Sequence, residues 1–451
     1  MRTIAIIGGG FSGSILAAQL LRRGRTPCRV VLIEKGDRFG PGLAYGTTHP
    51  GHLLNVPAGK MSAFPEEPDH FLRWARKYLP QAAAGSFLPR HLYGEYVSWT
   101  LDEARSRSPL RLELRSGDAR SLDETAGKLV VGFEGGDALE ADYVVLAMGN
   151  YAPGRPFAVE PSAAEHPGFI PDYWRTRERL IAPDASILLV GSGLTMVDAV
   201  LDLSSKNHRG SIRAVSRHGL LPCRHELPLP EHPFFLNPLP NSARALLRLT
   251  RGEVEKAASN GIAWQAVVDS IRPQTNAIWQ GLSPRERSRF LRHVRPYWDS
   301  HRHRMAPEIS VALDRLQTDG QFVSTAARVR RVSLSPQGKL AVELLPRRSS
   351  DLEVIVVDCV INCTGPELDL SRTRSPLLSS FLKDLVRLDP SRMGLQLNRD
   401  SGAIIDAQGR ESKRLFALGP LRKGALWETT AVPELREQAL RTADELLAQI
   451  S

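Results

Sequence analysis

The sequence predicts an α/β fold built from two parallel-sheet units, the second set into the first. A β-branched strand, a glycine-rich turn and an amphipathic helix follow one another twice, from Thr3 and again from Ser186. One apolar strand ends at Gly149 between the copies, and another ends at Thr364-Gly365 after the second. Strands that alternate with helices in this way make parallel sheets with helical crossovers.

In the first unit Thr3 to Ile7 is the strand and Gly8-Gly9-Gly10-Phe11-Ser12-Gly13 the turn. Leu16, Ala17, Leu20 and Leu21 recur at helical spacing, and Gly24 is a suitable stop. Arg29 to Glu34 is the next strand, ending in a carboxylate 21 positions after Gly13. This is the pattern of a Rossmann-type dinucleotide-binding unit. Gly8 serves the tight turn, Gly10 the approach of a pyrophosphate, and Gly13 the packing of helix on strand. The helix N-terminus, at Phe11 and Ser12, offers free N–H groups to phosphates. Glu34, followed by Lys35, is placed to accept hydrogen bonds from ribose hydroxyls. The expected cofactor here is FAD.

The second copy runs Ile187 to Val190, then Gly191-Ser192-Gly193-Leu194-Thr195-Met196, then a helix through Leu203 closed by Gly210. Met196 stands where a third glycine is usual, so helix and strand are expected to pack less closely, and a unit that binds nothing stays open as an alternative. Arg217 lies 26 residues after Gly191, as Glu34 lies 26 after Gly8. A carboxylate there suits a free ribose, an arginine a 2′-phosphate. With Ser216 and His218 as further donors, the site reads as one for NADPH, with NADH possible; a surface Arg-His pair is the plainer alternative. Residues 1–165 and 352–451 are expected to form the FAD unit, and 175–350 the NAD(P) unit with a helical insertion over 221–305.

Within the insertion, six prolines between 222 and 240 imply an extended loop. Ser283-Pro284-Arg285-Glu286 has the form of a capping box with proline at the first helical position, opening a short helix that stops at Pro296. Residues 285–304 hold seven arginines against Glu286 and Asp299, half of the net charge of +10. His301 and His303 are flanked by cations, which disfavours a metal. The choice there is between a solvated basic face and an anion-recognising lid in which Arg304 or His301 orients the substrate and Trp298 covers the pocket. Aromatics are too few for a nucleic-acid stacking track.

A chain of 451 residues, 42% hydrophobic, suits two or three globular domains. It has no run of eighteen apolar residues, and its opening strand runs into glycines rather than a cleavage site, so a cytoplasmic protein without a membrane span is expected. Only four cysteines occur, none in a Cys-x-x-Cys pair. Cys359 and Cys363 fall in one apparent strand, Val356 to Cys363, about 13 Å apart, too far for a disulfide. That argues against a disulfide reductase and a zinc site.

Three stretches carry a family resemblance: Gly40 to Tyr45 with His52 to Ala58 and Met61-Ser62; Trp298 to Arg304; and Gly424 to Thr430. With them the chain resembles two-dinucleotide-fold flavoproteins, within them the class B flavin monooxygenases, and more closely a bacterial FAD/NAD(P)-binding family that includes FAD-dependent urate hydroxylases and aspartate N-oxygenases. The resemblance implies that Asn55, Gly149, Thr364, Gly365 and Gly419 also face the cofactors. It implies that NADPH reduces FAD, that O2 then reacts, and that a small-molecule substrate is hydroxylated, urate first and an amino-acid nitrogen second. A reductase or oxidase that inserts no oxygen, or a redox sensor, are the other classes. Pro420 replaces an aspartate common in relatives, a change frequent in the monooxygenase branch. Glu428-Thr429-Thr430 precede a helix near Pro433 whose N-terminus is expected to face the flavin pyrimidine. Oligomeric state is left open.

Overall fold

In the computed structural model, all residues are described except 177, 178, 235, 383, 384 and 451. The first unit is a six-stranded sheet in the order Ala403–Ile405, Glu411–Ala417, Tyr143–Leu146, Arg2–Ile7, Cys28–Glu34, Arg111–Ser116. Its strands are parallel except Ala403–Ile405, which pairs antiparallel with its neighbour. Tyr143–Leu146 is buried throughout, as a parallel strand covered on both faces must be. Helices Phe11–Arg23, Arg90–Arg107 and Val432–Ile450 fill one face, through residues such as Ile15, Leu20, Tyr96 and Leu446. The other face packs under a three-stranded sheet over Ala119–Ala141 and helix Pro376–Phe381.

The second sheet runs Glu353–Val357, Leu340–Pro346, Phe322–Leu334, Ile212–Ser216, Ile187–Val190, Cys359–Asn362, Phe169–Ile170, with Ala158–Val159 alongside Phe322–Leu334. Two expectations are corrected here. Val356 to Cys363 is not one strand: Asp358 interrupts it, accepting from Ser186 N at 2.8 Å and Ser186 Oγ at 2.7 Å. Both resulting strands pair in the second sheet, antiparallel to Leu340–Pro346 and parallel to Ile187–Val190 respectively, so the sheet boundary falls near Thr364 rather than at 352. Likewise the left-handed turn after helix Leu194–Ser205 is made by Asn207, φ +55°, and not by Gly210. Gly210 is needed for a close approach, since a Cβ there would lie 2.1 Å from Ala185 O.

The insertion is extended to Ser242 and then helical, and packs on the first unit through a core of Trp279, Phe290, Met393 and Trp427. Ser283 Oγ accepts from Glu286 N at 3.3 Å as the capping pattern requires, but Glu286 accepts from Ala243 N at 3.0 Å instead of reaching back. The chain does not stop at Pro296. A π turn over Phe290–Val294 leads into helix Arg295–Arg302, which places Pro296 in a first turn, where its missing N–H removes no bond. Among the described residues no helix is long and apolar enough to cross a membrane.

Candidate cofactor and substrate site

The first glycine turn has the geometry its spacing implied. Gly8 has φ +112°, and a Cβ on it would sit 2.3 Å from Ala147 O. A Cβ on Gly13 would lie 1.9 Å from Gly8 O, so helix and turn touch backbone to backbone. A Cβ on Gly10 would meet nothing closer than Gly42 Cα at 3.4 Å, which leaves its outer side open to a pyrophosphate. The Glu34 carboxylate is fixed by the loop, accepting from Gly9 N at 2.7 Å and Lys35 N at 3.0 Å, and keeps lone pairs for ribose. The Lys35 ammonium points elsewhere, to Asp118 at 2.9 Å. Phe11 is buried under the turn against Tyr45 and Tyr93. Ser12 lies by Gly419, whose Cβ would come 3.5 Å from Ser12 Oγ.

Gly419 is held by a buried network that sequence reading missed. Gln438 Oε1 accepts from Gly419 N at 3.0 Å, Gln438 Nε2 donates to Thr429 Oγ1 at 2.8 Å, and Thr429 donates to Gly419 O at 3.0 Å. Nothing in the spacing marks Gln438, because its partner lies on a different element. Gly149 and Gly365, at φ +67° and +80°, have open space where a Cβ would go. Thr364 is committed to the crossing, donating to Asn362 Oδ1 at 2.8 Å. Asn55 enters through its backbone, with its carbonyl accepting from His225 Nε2 at 3.0 Å. Burial, reinforced by Arg304, lowers the His225 imidazole to about 4, so it is neutral when it donates. These open glycines and the Glu34 carboxylate fit FAD.

At the second turn a Cβ on Gly191 would meet Cys363 O at 2.3 Å, while a Cβ on Gly193 would meet nothing within 4 Å, ahead of Leu194 and Thr195. Met196 is fully buried in the core of this unit. Ser216 Oγ accepts from Gly219 N at 3.0 Å, shaping the turn that carries Arg217 and His218. Arg217 does not stand alone. Burial, then Arg295 and Arg328, lower its pKa, and His218 is lowered by burial and then by Arg347, Arg217 and Arg328. Arg328 and Arg347 come from strand Phe322–Leu334 and the residue after Leu340–Pro346, too far along the chain for the Gly191 spacing to reveal. Among the described residues, Arg217, Arg328 and Arg347 have no carboxylate within ion-pair distance, which fits a 2′-phosphate.

Five of the seven arginines in the run 285–304 are held by protein partners. Arg289 pairs with Glu286 at 2.6 Å, Arg295 with Asp299 at 3.1 Å and Arg302 with Glu428 at 3.5 Å. Arg287 donates to the Trp279 carbonyl at 3.0 Å. Arg304 is 2% exposed and pairs with Asp269, leaving its Nε and Nη1 buried without a partner. His301 donates from Nδ1 to Tyr297 O at 2.8 Å and packs edge-on against Trp264 at 4.7 Å. Arg304 and His301 are therefore both held by protein partners.

A buried charge cluster joins helix Arg295–Arg302 to the segment before helix Val432–Ile450. Glu428 is 5% exposed, and among the described residues its carboxylate makes no hydrogen bond, only the wide contact to Arg302. Burial would raise its pKa; Arg302, His303 and Lys423 outweigh that and hold it ionised. Lys423 stands over the Trp427 ring at 4.5 Å. The cluster thus carries both signs of charge. A third cluster, His49, His52 and Asp202, has ligand-type atoms within 4.8 Å of one another.

Residues 5–151 match the family described as FAD-NAD(P)-binding. Over 148 residues the chain is 30% identical to a Baeyer-Villiger monooxygenase of Streptomyces coelicolor, a match of 32% of this chain and 22% of that protein's length. Over 100% of both chains the fold matches the ornithine N-hydroxylase of Kutzneria sp. 744, solved with reduced FAD, NADP+ and L-ornithine, at TM-score 0.66 and 14% identity. It matches L-lysine 6-monooxygenase from Pseudomonas syringae over 100% of both chains, at TM-score 0.66 and 18% identity. The chain thus has the Rossmann-type fold of the flavin monooxygenases.

Proposed function

We propose that this chain is an FAD- and NADPH-dependent monooxygenase that hydroxylates the nitrogen of a small amine bearing a carboxylate. The observation that carries this reading is Glu428, a buried residue held ionised, whose carboxylate among the described residues makes only the 3.5 Å contact to Arg302, with Lys423 acting on it as a second cation. An ammonium satisfies such a carboxylate; a urate-like anion is repelled by it, at a site where water screens little. The whole-chain likeness to amino-acid N-hydroxylases supports the same choice.

The nitrogen of an amine is a nucleophile only when unprotonated. Glu428 holds the incoming ammonium through its carboxylate oxygens; with its own pKa lowered it orients the amine, and the proton leaves to a stronger base. Lys423, whose ammonium stands over the Trp427 ring, supplies a cation for the substrate's carboxylate. Bound FAD, once reduced by NADPH, supplies the activation of oxygen. The chain's own residues supply position: Ser12, Gly419 and Thr429 at the flavin side, Arg217, Arg328 and Arg347 at the 2′-phosphate side. The test is NADPH oxidation by the FAD-loaded protein with ornithine, lysine, aspartate and urate in parallel. An amino acid should accelerate it and urate should not; the reverse result would return the reading to urate.

A further inference from the structure

Helix Leu194–Ser205, which opens at the nicotinamide glycine turn, is tied to the flavin side by a buried polar cluster. Asp198 and Asp202 stand four residues apart on one face of it, 3% and 8% exposed. Arg90, at the start of helix Arg90–Arg107, donates to Asp198 Oδ2 at 2.9 Å and to Leu53 O at 2.9 Å, and its backbone N–H donates to His52 O at 2.8 Å. One guanidinium therefore braces the segment leading to Asn55 and bridges to the other unit. His52, fully buried, places Nε2 3.2 Å from Asp198 O and 3.4 Å from Asp202 Oδ1. His49 Nε2 faces the same oxygen at 3.8 Å, and Tyr173 donates to Asp202 Oδ2.

This is a hydrogen-bonded cluster and not a metal centre. His49 Nδ1 accepts from Gly51 N at 3.0 Å, which leaves the ring proton on Nε2. His52 Nε2 confronts two oxygens and so carries its proton there, while Nδ1 accepts from Thr47 Oγ1 at 2.8 Å. Both rings thus carry their proton on the nitrogen that a cation would need as a lone pair.

We infer that Asp198 and Asp202 are positioning residues: they lock the helix at the nicotinamide turn onto the His52–Asn55 segment and so set the gap between the two cofactors. The inference rests on the reading that both FAD and NADPH bind. The step it governs is transfer of a hydride, two electrons and one proton, from the nicotinamide to the flavin, leaving NADP+ and reduced flavin. That step needs near-contact geometry, and a displacement of about 1 Å costs on the order of a hundredfold in rate. None of these side chains needs to touch either cofactor for this to hold.

The test compares wild type, Asp198→Ala, Arg90→Ala, the double variant and Asp198→Glu. Anaerobic stopped-flow should give a limiting rate of flavin reduction at saturating NADPH at least about tenfold lower in the alanine variants. FAD content and the NADPH Kd from the same titration should change less than about twofold. The double variant should be no slower than the worse single one, and Asp198→Glu should recover part of the rate. Hydrogen exchange in the cofactor-free protein should rise at 47–57 and 194–205 together. A limiting rate unchanged in Asp198→Ala, or a loss carried wholly by the NADPH Kd, would overturn the inference. Wild type that binds FAD but is not reduced by NADPH would instead overturn the reading beneath it.

Discussion

Arg302 and Glu428 face each other at 3.5 Å, both buried, one from the insertion and one from the segment entering the C-terminal helix. A charge-assisted N–H···O bond spans about 2.7–2.9 Å, so the pair is held apart rather than closed. Glu428→Gln removes the charge that would meet an ammonium while keeping the shape. Hydrogen bonds to charged groups are worth about 1.5–3 kcal/mol, so the KM for the amine should rise about ten- to a hundredfold with flavin content unchanged. An unchanged KM in steady-state assays would remove Glu428 from the substrate site.

The second and third glycines of the first-turn motif, Gly10 and Gly13, should fail differently. Gly13→Ala drives a Cβ to 1.9 Å from Gly8 O, so the cofactor-free protein itself should lose about 2 kcal/mol or more in urea unfolding. Gly10→Val meets only Gly42 Cα at 3.4 Å in the free protein, so its apoprotein stability should change little. Its flavin occupancy, read by absorbance, should fall steeply, because the branched side chain fills the pyrophosphate's approach.

NADPH should be preferred over NADH through Arg217 with Arg328 and Arg347. Arg217→Ala and Arg328→Ala should each raise the NADPH KM about tenfold or more and leave NADH nearly unaffected. Equal losses with both cofactors would place these arginines outside the 2′-phosphate site.

Asp358 makes a pH-dependent contribution to stability. Lys339, then the Ser186 hydroxyl and N–H, hold its carboxyl at about 2, below the ordinary 3.8. A depressed carboxyl stabilises the fold fully above its ordinary pKa, and that contribution fades as pH falls toward about 2. Asp358→Asn should therefore lower the thermal midpoint at pH 7, with the difference from wild type closing between pH 4 and about 2. A difference independent of pH would mean that geometry rather than charge is lost.

The fold was legible because Gly8, Gly13, Glu34 and Gly191 act through short-range spacing, which a single chain displays. The site was legible only in part, for a physical reason. Arg285 to Arg304 read as a block of charge along the sequence, whereas Glu428 and Asp269 meet its members in space. Arg304 was singled out on chain position and proves to be a buried partner of Asp269. Glu428 was noted only as part of a stretch before a helix, since its environment is built by Arg302 and Lys423 from elsewhere. Gln438, Arg328 and Arg347 carry no local signal at all. Pro296 misled because a proline usually ends a helix, and here a π turn placed it at a new start.

The most direct test of the central claim is stoichiometry. The FAD-loaded protein is given NADPH, oxygen and the amino acid that best accelerates turnover, and hydroxylamine product and hydrogen peroxide are both quantified against NADPH consumed. The account predicts close to one N-hydroxylated product per NADPH, with peroxide a minor outcome, and loss of that coupling in Glu428→Gln. If every amine tried yields peroxide alone, in an amount equal to the NADPH oxidised, the protein is an oxidase and the account is contradicted.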